Sequence, residues 1–94
     1  MLFDWDENKS KTNLVKHGIS FETARLVFDD PYALNMQDRH KDGEERWQTL
    51  GLINGIVILL VAHTFHEQDG IEVIRIISAR KATRQERKHY DQNK

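Results

Sequence analysis

At 94 residues the chain has room for one domain with one modest core, burying somewhat more than about 60 per cent of its unfolded surface. It has no cysteine, which excludes a disulfide scaffold and a thiolate metal site. The net charge is only −1, yet residues 75–90 hold six Lys and Arg against one acid, a segment of +5 in a chain whose remainder, with eight cations and fourteen acids, is −6. Such a patch sets up a local field whatever the total, so it is either a solvated face or the seat of an anionic partner.

In chain order, "LFDW" at 2–5 predicts a short opening strand. Asp6 is a helix N-cap for a segment over 7–17, with Lys16 and His17 suited to its C-terminal end and Gly18 to a left-handed exit. Ser20 caps a second helix with Phe21, Ala24, Val27 and Phe28 on one face, and Asp29, Asp30 and Pro31 stop it. From Tyr32 the apolar period becomes two, as in a half-buried strand. "HKDGEE" around Gly43 predicts a hairpin turn, "RWQTLGLI" a strand, and Asn54-Gly55 a two-residue hairpin. "IVILLVAHTF" is apolar at both parities and belongs at the sheet centre. "HEQDG" predicts another turn and "IEVIRIISA" the last strand. Thr83 and Glu86 then match a capping box opening a closing helix, on which Arg84, Arg87 and Lys88 share a face. The order β-α-α-β-β-β-β-α predicts an α+β domain: a small antiparallel meander packed by two N-terminal helices and a C-terminal helix. The acidic start "MLFDWDENKS" is no signal peptide and "IVILLVA" is too short to span a bilayer, so a soluble cytoplasmic protein is expected.

Arg75 and Arg80 are the sharpest chemical features, because a guanidinium in an aliphatic strand must find solvent or an anion. They serve either phosphate binding or structural salt bridges, with Asp38 or Glu72 as possible partners. Five residues apart, they face opposite ways on a regular strand. A bulge near Ser78, or a strand ending before Arg80, would reconcile them. His63 and His66 also alternate on a strand, so a shared metal is not expected. The chain lacks a P-loop, a G-x-G-x-x-G, an H-E-x-x-H and a G-x-S-x-G elbow. Catalysis, if present, therefore rests on Arg, Lys, His, Glu and Tyr without a cofactor. Tyr90, four residues after Glu86, can pack the last helix onto the sheet.

Taken together, "FDWDENK" at 3–9, "NLVKHGISFETA" at 13–24, "FDDP" at 28–31, "EERW" at 44–47, "HT" at 63–64 and "RIISARKATRQERKHY" at 75–90 resemble the BrnT ribonuclease toxins of bacterial type II toxin–antitoxin systems. The resemblance implies a RelE-like fold, metal-independent RNA cleavage that stops growth, and inhibition by a BrnA-like ribbon-helix-helix antitoxin through which operator DNA would be bound. The family's recurrent polar positions fall on Lys16, His17, Glu45, Arg46, His63, Arg75, Ser78, Arg80, Glu86, Arg87 and Tyr90. Two departures are Glu7, where relatives often carry proline, and His66, where many carry arginine. On this basis Arg75, Arg80 and Arg46 are expected to stabilise the phosphate, with His63 or Glu45 transferring protons. Lys16, Lys81, Arg84, Arg87 and Tyr90 are expected to hold the RNA. The alternative is a non-catalytic binding module, or a co-repressor acting only with a DNA-binding partner.

Overall fold

The computed structural model describes the backbone of residues 1–41 and 44–94, so the turn expected around Gly43 lies outside the described residues. The elements are β1 (Leu2–Asp4), α1 (Glu7–His17), α2 (Phe21–Ala24) continued by a 3₁₀ turn over Arg25–Asp29, β2 (Leu34–Lys41), β3 (Glu44–Ile53), β4 (Val57–Gln68), β5 (Ile71–Lys81) and α3 (Arg84–Gln92).

The helix ends follow their capping residues. The Asp6 carboxylate accepts from the N–H groups of Asn8 and Lys9 at 2.8 and 3.2 Å, and Gly18 leaves α1 at φ 74°. Ser20 caps α2 by accepting from Thr23 N. The expected second helix, however, tightens after Ala24 into the 3₁₀ turn. That turn presses Val27 against Gly51 of β3, where an added Cβ would lie 2.6 Å from Val27 Cβ. The tighter winding and the missing side chain are two halves of one close approach.

The sheet order is β1-β5-β4-β3-β2. Strands β2 to β5 form the expected antiparallel meander, with β4 at the centre. The first strand corrects the all-antiparallel expectation: β1 pairs parallel to β5 through Leu2↔Val73, Phe3↔Ile74 and Asp4↔Arg75, so the sheet is mixed. Asp69 and Gly70 take positive φ in a two-residue turn, so β4 runs on to Gln68 where an earlier turn was expected. Asn54 and Gly55 also take positive φ, but Ile53 pairs with Val57, so that hairpin has a three-residue loop in place of the expected two-residue one.

Because β1 is only three residues long, the outer edge of β5 needs another partner beyond Arg75. Asn13 of α1 supplies it. Its Nδ2 donates to Ala79 O and to Ile19 O, both at 2.8 Å, while its Oδ1 accepts from Ala79 N at 3.2 Å. One buried amide thus does the work of a strand residue and ties α1 to the sheet.

Two cores result. Phe21, Ala24 and Val27 cover Leu59, Val61, Ile74, Ile76 and Ala79 on the helical face of the sheet. On the opposite, open face, α3 covers only one end, packing Tyr90 and Ala82 against Leu50 and Leu60. Tyr90 is 1% exposed and its hydroxyl donates to the Asp30 carboxylate. Asp30 also accepts from Leu52 N at 2.8 Å and Tyr32 N at 2.9 Å. Burial opposes charge on Asp30, but these hydrogen bonds hold it below the usual carboxylate range. Burial, reinforced by the hydrogen bond to Asp30, pushes the Tyr90 phenol up to about 12.

Asn13→Ala leaves the Ala79 N–H and two carbonyls without partners. It should destabilise the fold by about 2–4 kcal/mol, measured by urea unfolding.

Candidate functional site

The open face is built by register. Arg46 of β3 lies opposite Thr64 of β4, Thr64 opposite Arg75 of β5, and Arg75 opposite Asp4 of β1, a single rung across four strands. The next rung is Gln48, Ala62 and Ser78, and the one after is Leu50, Leu60 and Arg80. Arg75 and Arg80 share this face because β5 carries one extra residue: Ala62 pairs with Ser78 but His63 pairs with Ile76, so Ile77 has no partner and the parity changes. Of the two reconciliations left open by the sequence, the bulge is the one present, since β5 continues to Lys81.

The three arginines differ in how they are held. Arg80 donates both Nη1 and Nη2 to Glu86 of α3, at 2.8 and 3.0 Å. The same carboxylate accepts from Thr83 N at 2.8 Å, closing the capping box. Glu86 therefore fixes the helix start and the Arg80 fork together. The Arg80 hydrogen bonds, against some burial, hold its carboxyl down to about 2 and raise the guanidinium in turn. Arg75 instead pairs with Asp4, where both side chains stay about half exposed, 43% and 54%. A pair that open is worth well under about 1 kcal/mol and can exchange for another anion. Arg46 makes no ion pair among the described residues, and its buried Nε has no hydrogen-bond partner. The salt-bridge partners anticipated for Arg75 and Arg80 are thus corrected from Asp38 or Glu72 to Asp4 and Glu86.

Beside these rungs, α3 and the sheet enclose an open groove of about 590 Å³, lined among others by Met36, Gln48, Glu86, Lys88 and His89. His66, two residues beyond Thr64 on β4, also belongs to the open face by alternation. Sequence spacing separated His63 from His66 but could not say which one joins the arginines, because only the β4–β5 register decides that.

The other expected site residues lie elsewhere. His63 is on the helical face and 4% exposed, edge-on to Phe28 with ring centroids 5.0 Å apart. Its Nε2 lies 2.8 Å from Thr49 Oγ1 and its Nδ1 3.2 Å from Thr64 O. Burial pulls its pKa below the usual histidine value, with the Thr64 carbonyl opposing. Glu45 precedes Arg46 on β3 and so points to the opposite face, exposed. Neither proton-transfer residue expected from the sequence therefore stands beside the arginines. Lys16 is exposed on α1 and Lys81 lies on the helical face opposite Leu59, while Arg84, Arg87 and Lys88 ride on α3. Arg87 turns back to cap Ala82 O at 3.0 Å. Tyr90, expected to touch RNA, is enclosed and bonded to Asp30, so it fastens α3 instead. Among the described residues no three His, Asp or Glu side chains converge as metal ligands, and no helix is long and apolar enough to cross a membrane.

The geometry defines a small α+β domain with a cationic, half-uncovered sheet face. The comparisons place it more narrowly. The family model described as "Ribonuclease toxin, BrnT, of type II toxin-antitoxin system" matches residues 5–86, and the chain belongs to that family. The crystal structure of the Brucella abortus ribonuclease toxin BrnT is similar, with 26% identity and a TM-score of 0.60 over 89% of this chain and 100% of that one. A comparison with curated proteins gives no match.

Two pH effects follow. The folded-state value of Glu86 is depressed from 4.5 to about 2, so its contribution is complete above about pH 4.5 and is lost as pH falls toward 2. Glu86→Gln should cost about 1–2 kcal/mol near neutral pH, with the gap to the parent closing in acid, as read by denaturant melts across pH. His63 is also depressed, from 6.5, but as a base it is disfavoured when charged. Stability should therefore decline as pH drops below about 6.5, and NMR titration of the His63 ring should show protonation lagging behind that of a free imidazole.

Proposed function

We propose that this chain is a ribonuclease toxin that cleaves RNA on the open face, with the Arg46–Thr64–Arg75 rung as its phosphate-binding floor. That rung carries the reading: two arginines whose backbones stand two strand spacings, about 10 Å, apart share one face with a small hydroxyl residue between them. One of them has an unpartnered buried donor and the other an easily exchanged carboxylate. A scissile phosphate seated there meets donors aimed at the oxygens on which charge builds.

The rest of the chemistry resides in the substrate. The RNA 2′-hydroxyl attacks the adjacent phosphorus as its proton passes to a base, and the departing 5′-oxygen takes a proton from an acid. The products are a 2′,3′-cyclic phosphate and a 5′-hydroxyl, with no water or metal consumed. Among the described residues His66 and His89 are the imidazoles on this face and are assigned the two proton transfers. Arg80, neutralised by Glu86, holds the groove wall in place, and Lys88 and Arg84 on α3 attract the flanking backbone in a salt-dependent way. In the cell, a BrnA-like ribbon-helix-helix antitoxin would inhibit the toxin in the cytoplasm and carry any contact with operator DNA. The RelE-like relationship expected from the sequence belongs to the same proposal and is supported by a meander with one helix on its open face.

Arg46→Ala should lower cleavage of an RNA substrate by about 10²–10³-fold while shifting stability by less than about 1 kcal/mol. Parent activity should persist in EDTA, and the products should carry cyclic phosphate termini. A folded parent, free of antitoxin, that leaves RNA intact would instead establish a non-catalytic binding module.

A further inference from the structure

We propose that the helical face carries a second, separate interaction site: an apolar cleft with an acidic rim that receives a bulky apolar side chain, flanked by Lys or Arg, from a protein partner. The cleft, of about 260 Å³, is lined by Phe28, Asn35, Trp47, His63, Phe65 and Ile74 together with Met1. It lies below the range of about 300–1,000 Å³ usual for small-molecule sites and suits a side-chain anchor. Phe65 stands 46% exposed at its mouth, where a monomer gains nothing from leaving an aromatic ring in water.

The rim decides the occupant. One rung beyond Phe65↔Ile74 on the same face, Glu67 and Glu72 stand directly opposite each other. Both are exposed, and neither has an ion-pair partner among the described residues. Like charges opposed across a ladder are destabilising, and a cation from a partner placed between them relieves that cost. The same carboxylates repel a phosphate backbone, so RNA is directed to the arginine face and away from this cleft. A second copy docking isologously would bring its own Glu67–Glu72 pair against this one, which disfavours a symmetric dimer. A basic protein segment with an apolar anchor satisfies both features. The inference takes from the proposed function only that a type II toxin has a protein antitoxin; the cleft itself is independent of the ribonuclease chemistry.

The experiment is calorimetric titration of the full chain with its purified cognate antitoxin, with RNA cleavage assayed on the same preparations. Phe65→Asp should raise Kd by about 30-fold or more, and the double variant Glu67→Lys, Glu72→Lys by about 10-fold or more. Cleavage by the antitoxin-free variants should stay at the parent level. The double variant alters only exposed positions, so it decides the matter should Phe65→Asp fail to fold. Antitoxin affinity unchanged in the double variant, or no antitoxin binding to the parent, overturns the proposal. So does a fall in RNA cleavage on these substitutions, or self-association of the chain that Phe65→Asp abolishes. Loss of cleavage in the parent alone would sink the ribonuclease reading and leave this one standing.

Discussion

One unpaired residue in β5 decides what the open face can do. Strand side chains alternate, so a shift of one position sends every later residue to the other side of the sheet. With Ile77 inserted, Ile74 and Ile76 point into the helical core, and Ala79, two rungs on, still does so. Arg75 and Arg80, on either side of the bulge, both point out of it. Removing the bulge would force a choice between burying Arg80 beneath α1 and exposing Ala79, whose backbone Asn13 grips. The bulge is therefore a condition of the core as much as of the arginine face. It allows a continuous apolar strand to present two cations on one side without interrupting the hydrophobic pattern on the other.

Energetics then separates the cation that is held in the fold from those that are loosely held. Arg80 forms a bidentate pair with a carboxylate that is also a helix cap, so withdrawing it would leave Glu86 partly satisfied and loosen the first turn of α3. Arg75 has a single exposed partner at the strand edge, an interaction near the low end of what surface pairs contribute. Arg46 has no ion-pair partner among the described residues and one idle donor. An incoming phosphate thus displaces little at Arg46 and Arg75, whereas at Arg80 it would have to compete with a preformed fork. The arginine that stands out most in the sequence is the one most engaged in holding the fold, and the less conspicuous Arg46 is the better placed for an anion.

Elements whose signal is local were legible in the sequence. Asp6, Gly18, Ser20 and the Thr83–Glu86 box each act within one turn of helix, and each is found where its chemistry required. The centrality of β4 was legible because a strand covered on both faces must be apolar at both parities. The family resemblance was legible too, through the joint occurrence of several segments, and the match over residues 5–86 agrees with it. What depends on long-range register was not. The parallel pairing of β1 with β5, the assignment of His63 to the core and of His66 to the arginine side, and the pairing of Asp4 with Arg75 all require knowing which residue stands opposite which. Asn13 shows the same limit. It is a polar residue in a helix whose apolar stripe is weak, and only a strand edge 66 residues away explains why it is buried.

The charge segregation visible in the sequence has a three-dimensional counterpart. Apart from Lys81, the cations of 75–90 gather on α3 and the open face, while Glu67 and Glu72 sit near the far end of the β4–β5 hairpin on the opposite side. A polyanion approaching such a molecule is attracted to one face and repelled from the other, which restricts its orientation before any contact forms. On the proposed reading, a protein inhibitor that binds without dissolving that preference would anchor in the acidic apolar cleft, where RNA would not compete. Inhibition would then not require the inhibitor to outbid RNA at the arginines. It would need only to hold on at the helical face and extend far enough around the sheet edge to cover the groove beside α3.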